Sequence, residues 1–318
     1  MLSRIANSIR NNKNILEKKD INPIVQFINQ NSFKSERVFS DIGEDSAALK
    51  NNNSYILVTT DRIKTEFVEN FPFGAGFSSI LVGVDDIYCC GGKPIAVSII
   101  LSYKDSNIGK RIIEGICEGS HKFQLPIIRG HTKPNSNHYE LSSTLIGEIE
   151  RENYISALNA KINDDIILAV DFDGKVGNAS EYYWDTVTFK NSTMVLKKRE
   201  SMTLIAEKHL ANSSKDISNG GIFGTILQLI KYSNVGANVN INSIHIPVTL
   251  IKQNYTLIKY IQMYLTTSYI LTASNHNSVK ILDIFSKFGL YSNIIGKIIK
   301  GNQLIINNGK ESLQVISY

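Results

Sequence analysis

The apolar positions follow two rhythms. Residues 55–59, 96–102 and 140–149 are β-type runs. Between them, Phe77, Ile80, Leu81, Val84 and Tyr88 recur at helical spacing, and Ile112, Ile113, Ile116 and Phe123 repeat the stripe over residues 108–123. Strand alternating with helix predicts an α/β or α+β first half. Ahead of it, Ile5, Ile9, Ile24, Val25, Phe27 and Ile28 mark residues 1–40 as a helical lead-in expected to pack on the first domain, with Pro23 placed to open a helix. A polar stretch at 151–164 precedes a strand at 165–170. Helices follow at 201–210, 222–231 and 279–288, and strands near 238–241, 269–273, 293–299 and 303–306. Three segments result: 1–40, 41–152 and 153–318.

Composition adds exclusions. With 318 residues, 42% hydrophobic and 20% charged, the chain has the makeup of two folded domains. The net charge of +5 is scattered, and the run Lys197, Lys198, Arg199 reads as a solvated face, so nucleic acid is not an expected partner. Cys89, Cys90 and Cys117 have no paired spacing for a disulfide framework or a zinc knuckle. No run has the roughly eighteen apolar residues of a membrane span and the N-terminus lacks a signal-peptide pattern, so a cytoplasmic location is expected.

The candidate chemistry lies in acidic residues where elements stop. Asp45 sits in the turn Gly43-Glu44-Asp45-Ser46-Ala47, and Asp61 ends the strand that begins at Tyr55. Asp86 lies roughly 180° from the centre of its helix's apolar stripe, facing solvent or a cleft. Lys215-Asp216-Ile217-Ser218-Asn219-Gly220-Gly221 precedes an apolar helix that Ser218 or Asn219 can cap, with glycines that let amides turn toward a phosphate. Taken singly, each acidic residue is also explained as a cap, a turn residue or a solvated position. Tyr182-Tyr183-Trp184-Asp185-Thr186 holds the one tryptophan. Trp184, Asp185 and Thr186 read as contacts closing over an acceptor substrate or, equally, as an aromatic hairpin packed on its own domain.

Taken in order, these segments, with Thr60-Asp61, Val84-Asp85-Asp86-Ile87, Gly91-Gly92-Lys93-Pro94 and Gly130-His131-Thr132, resemble the AIR synthase-related superfamily. That superfamily includes AIR synthase, thiamine-monophosphate kinase and selenophosphate synthetase. Asp61-Arg62-Ile63, His131-Thr132-Lys133-Pro134, Trp184-Asp185-Thr186 and residues 215–224 resemble its methanogenesis marker 2-like subgroup most. The resemblance implies a two-domain α/β (α+β) architecture, with an N-terminal mixed-sheet domain forming a dimeric barrel and a C-terminal α/β sandwich domain. It implies ATP and Mg2+ as cofactors, a small-molecule acceptor and a homodimer. Asp45, Asp61, Asp86 and Asp216 resemble the metal ligands, and Ser218 a nucleotide contact, with Lys215, Asn219, Gly220 and Gly221 beside it.

Two positions depart from the pattern. His131 stands where relatives have an aspartate, and Asn219 replaces a second aspartate, so a full set of three magnesium ions is not expected. His131 is also a candidate ligand for a softer metal or, with Asp61, a catalytic group. Three readings stay open: an ATP-dependent phosphotransferase or activating enzyme, a nucleotide-binding protein without turnover, and a nucleotide-independent metal hydrolase using His131.

Overall fold

The structure is a computed structural model and describes residues 1–317, the side chains of residues 18–20 excepted. The first half runs α1 (Leu2–Arg10), α2 (Lys13–Asn31), β1 (Val38–Ser40), β2 (Ala47–Asn51), β3 (Ser54–Arg62), α3 (Thr65–Asn70), α4 (Pro72–Cys89), β4 (Lys93–Ser102), α5 (Ser106–Phe123), β5 (Ile127–Lys133) and β6 (Glu140–Glu150). Its six strands form one open sheet in the order β1-β2-β3-β6-β4-β5. Only β4 and β5 run parallel, joined by α5 as a crossover. In α4, Pro72 opens the helix at a position where its missing N–H costs nothing. The apolar stripe of α4, including Ile80, Leu81, Val84 and Ile87, is buried in the core that also holds Leu57 of β3 and Leu145 of β6.

Residues 151–164 lead into the second half: β7 (Asp165–Val170), β8 (Lys175–Val176), β9 (Tyr183–Asp185), α6 (Ser192–Glu207), β10 (Ser213–Asp216), α7 (Gly221–Tyr232), β11 (Gly236–Asn240), α8 (Val248–Lys252), α9 (Leu257–Tyr260), β12 (Tyr264–Leu265), β13 (Ser268–Ala273), α10 (Asn275–Lys287), β14 (Tyr291–Ile299), β15 (Gln303–Asn307) and β16 (Ser312–Ser317). Seven strands, β10-β13-β7-β14-β11-β15-β16, make the main sheet, and β12-β9-β8 a small one. Every residue of β7 is buried because both faces of the main sheet are covered. Ile167 and Ala169 join a core with α6, α10 and the first domain. Ile166, Leu168 and Val170 join a second core with α7 and α1.

Three expectations are corrected here. The lead-in packs on the second domain, because Leu2, Ile5, Ala6 and Ile9 close its second core and Arg10 donates to the backbone oxygens of Gln314 and Val315, both at 2.7 Å. Pro23 lies inside α2 rather than at its start. The basic run is not a solvated face. It lies within α6, where Arg199 is fully buried on Asp85 at 2.8 Å and Lys198 is buried on Asp171 at 2.5 Å, leaving only Lys197 exposed. The first sheet is open in the single chain and closes no barrel by itself. Among the described residues no helix is long and apolar enough to cross a membrane.

Candidate active site

The cleft is built where the first sheet's β3, the inner end of α4 and the second sheet's β10 meet. On β3, Thr59 and Asp61 share the face that α4 covers, since side chains alternate along a strand. Asp86, on the polar side of α4, therefore comes down against them, and Thr59 Oγ1 donates to Asp86 Oδ2 at 2.6 Å and to Asp61 Oδ2 at 3.5 Å. Asp45 arrives from the turn before β2. That turn needs Gly43, whose φ is +89° and where a Cβ would sit 2.6 Å from the Tyr232 ring of α7. Glu44 pins the same turn, accepting from the Ser156 hydroxyl at 2.6 Å and the Ala157 N–H at 2.7 Å. Asp216 ends β10, and its N–H donates to Asp45 Oδ2 at 3.2 Å.

One carboxylate oxygen from each of Asp45, Asp86 and Asp216 lies within 4.8 Å of the others. Such crowding disfavours the charged forms. Asp86 is pushed well above its ordinary value, by burial first and then by the charges of Asp61, Asp216 and Asp45. Burial also raises Asp61; its hydrogen bond to Asp86 opposes the rise and the Asp45 charge adds to it. Lys215, next to Asp216 on β10, ion-pairs with Asp45. Burial, the largest single effect, would lower the Lys215 ammonium, yet the charge and hydrogen bond of Asp45 together with the nearby Cys89 and Asp216 outweigh it and the net shift is upward. These groups open onto a cleft of about 1350 Å³ lined by both domains and by the α1–α2 junction. Asn14 crosses its mouth, its Nδ2 donating to Asn219 O at 2.7 Å and its Oδ1 lying 3.5 Å from Lys64 Nζ.

Asp45, Asp61, Asp86, Asp216, Lys215, Ser218 and Asn219 all line this one cleft. The other candidates do not. His131 is exposed on β5, the sheet's edge, with β4 and β6 between it and β3. Three strand spacings, roughly 14 Å, separate it from the strand of Asp61, so within one chain it joins neither the cleft nor the carboxylates. Gly220 and Gly221 are not among the residues that line the cleft, and the Gly221 N–H donates to Ser218 O at 2.8 Å and the Ile222 N–H to Ile261 O at 3.0 Å, so neither of these two amides is turned toward a phosphate. Gly221 is required instead by a φ of +62° and by Ile261 O, which a Cβ would meet at 2.2 Å. The N-cap of α7 is Gly220, with no capping side chain from Ser218 or Asn219.

Trp184 is fully buried in the second core, its Nε1–H donating to Asp171 O at 2.9 Å, so it cannot stack on a ligand. Asp185 accepts from the Val187 and Thr188 amides, both at 2.9 Å, and Thr186 bonds Thr266 and Thr267. All three are engaged within the second domain and none lines the cleft. Sequence reasoning missed Thr59, Glu44 and Cys89, whose Sγ lies 2.9 Å from Asp45 Oδ2. The signals were local: Thr59 is two residues from Asp61 on a strand, and Cys89 three from Asp86 on a helix.

Residues 43–149 match the family model described as AIR synthase related protein, N-terminal domain, and residues 169–307 match its C-terminal domain. The chain is 33% identical to the uncharacterized protein MJ0640 of Methanocaldococcus jannaschii, over 100% of this chain and 97% of that one. It is 26% identical to thiamine-monophosphate kinase of Buchnera aphidicola subsp. Schizaphis graminum, over 93% and 96%. Among solved structures it superposes on T. maritima PurL complexed with ATP with a TM-score of 0.72 at 13% identity, over 87% of this chain, and spans about half, 47%, of that one. With both domains matched and a relative at 33% identity along the whole length, the chain belongs to the AIR synthase related protein family.

Proposed function

We propose that the chain is an ATP- and Mg2+-dependent phosphotransferase, or an ATP-dependent activating enzyme, acting on a small acceptor bound beside the nucleotide. The observation that carries this reading is the convergence of Asp45, Asp86 and Asp216, with Asp61 adjoining, in one corner of a cleft between the domains. A hard dication suits that donor set, since carboxylates raised by burial and then by one another's charge are relieved by a positive charge among them. When bound, Mg2+ would offset charge on the triphosphate and on the group being transferred. Thr59 fixes the rotamer of Asp86, and Glu44 holds the turn that carries Asp45. Ser218 and Asn219 line the nucleotide side, and the cleft's about 1350 Å³ exceeds a usual single-ligand pocket, leaving room for an acceptor. The kinship with thiamine-monophosphate kinase and the likeness to an ATP-bound PurL support the same reading.

A homodimer fits the first sheet's open edge, where every residue of β5 is exposed and Ile127 and Ile128, like Ile100 of β4, are exposed apolar side chains. Nucleotide binding without turnover is the second reading, favoured by Asn219 in the cleft where a carboxylate was expected. The hydrolase reading loses its support with His131 outside the cleft.

The test is ADP formation with ATP, Mg2+ and a panel of alcohols, amines, thiols and phosphate monoesters. Acceptor-dependent ADP that disappears in Asp61→Asn is expected. Tight binding of the analogue AMPPCP with no ADP under any acceptor would overturn the enzyme reading in favour of the second.

A further inference from the structure

The cleft carries a second chemistry besides its carboxylates. Tyr183 of β9 and Tyr264 of β12 both line it, half-buried, and their rings stack with centroids 5.7 Å apart and planes 19° from parallel. Backbone fixes the pair. β9 and β12 run parallel with Tyr183 and Tyr264 in register, and the Tyr264 N–H donates to Tyr182 O at 2.8 Å. Gly177 lies against the Tyr183 ring, where a Cβ would overlap it, and its N–H donates to Tyr183 O at 2.8 Å. From the first domain, Phe67 and Phe71 of α3 line the same cleft with ring centroids 6.0 Å apart, and Phe71 is 39% exposed.

The two phenols are spare donors. Among the described residues neither the Tyr183 nor the Tyr264 hydroxyl has a hydrogen-bond partner, and neither is sealed from solvent as the unpartnered hydroxyls of Tyr260 and Tyr269 are. Burial first, and then the charges of Asp85 and Asp216, hold the Tyr264 phenol well above its ordinary value, so it keeps a proton to donate. A phenol without a protein partner gains by bonding a ligand, and aromatic rings held in place gain from a further flat π-system. We propose that these rings receive the acceptor, and that the acceptor is a flat conjugated molecule whose oxygen or nitrogen lone pair accepts from the Tyr183 and Tyr264 hydroxyls. The inference rests on the phosphotransferase reading of the cleft and names the acceptor class within it. Tyr264 feels the charges of Asp216 and Asp86, which places the acceptor beside the carboxylate corner. Side chains alternate along β9, so Tyr183 serves the cleft while Trp184 goes to the core.

The test titrates the full chain by NMR with 2-quinolone, a flat lactam, and with its fully saturated counterpart, which keeps the carbonyl and loses the flat ring. 2-Quinolone is expected to bind at least about threefold tighter than the saturated lactam, and to weaken by at least about threefold in Tyr264→Phe. AMPPCP with Mg2+ is expected to bind that variant as it binds the wild type. Equal affinity for the two lactams, or no binding of 2-quinolone, overturns the proposal. So does a Tyr264→Phe variant that binds 2-quinolone at wild-type strength. Weakened AMPPCP with 2-quinolone unchanged assigns the rings to the nucleotide base and overturns it as well. AMPPCP that never binds the wild type, with the preference for the flat lactam intact, instead overturns the nucleotide reading and supports the ring site. Should Tyr264→Phe not fold, Phe71→Ala at its exposed position decides by the same loss of 2-quinolone binding.

Discussion

At the scale of single residues, burial separates the side chains that serve the cleft from those that only hold the fold. Trp184 has no exposed surface and donates its one N–H internally. Trp184→Ala should therefore lower stability by about 3–5 kcal/mol in urea unfolding while leaving AMPPCP affinity of the folded protein unchanged. A selective loss of acceptor use without loss of stability would contradict that assignment. Asp61 and Asp86 carry the pH dependence. Their carboxyls are raised from 3.8, so the fold retains protons that the unfolded chain has released, and their contribution to stability falls as pH rises from about that value through the raised ones. A dication displaces those protons, so Mg2+ affinity should increase with pH over the same range. Calorimetric Mg2+ titrations in two buffers of different protonation enthalpy should show proton release. Equal heats in both would contradict it.

At the scale of elements, α1 works as a part of the second domain although it comes first in the chain. Ile5→Ala, at a position 1% exposed, should cost about 2–5 kcal/mol, read as a lower urea midpoint. What could be read from sequence follows from how each element is buried. The stripe of α4 and the apolar runs of β3, β4, β6 and β7 showed themselves because their environments are one-sided or wholly apolar. β5 did not, since all seven of its residues are exposed and Ile127-Ile128-Arg129-Gly130-His131 has no alternation to detect. The start of α6 was missed because Lys198 and Arg199 read as surface, when each is neutralised by a distant carboxylate that no local pattern reveals. In the cleft, the aspartates were legible as carboxylates at element ends. The inward turn of the Gly221 and Ile222 backbone depends on Ile261, forty residues on from Gly221.

For the molecule as a whole, the relation between domains sets the distance from Asp86 to Asp216. Three links cross the interface next to the cluster. Arg199 holds Asp85, Ser214 donates to the Cys89 carbonyl, and Glu44 holds Ser156 and Ala157. Asp85 is the immediate neighbour of Asp86 and also accepts from the Thr267 backbone, so both of its partners belong to the second domain. Arg199→Ala strands a buried carboxylate and should cost about 3–5 kcal/mol, seen as a lower urea midpoint together with weaker Mn2+ binding. A variant with full stability and wild-type Mn2+ binding would contradict that role.

The central claim is that carboxylates from both domains grip a cation that in turn grips a triphosphate. Its most direct test is calorimetric titration of AMPPCP into the full chain with and without Mg2+, for the wild type and for Asp86→Asn. Binding that requires Mg2+ and weakens by at least about tenfold in Asp86→Asn is expected. Equal affinity with and without Mg2+, or an Asp86→Asn variant that binds as the wild type does, contradicts it.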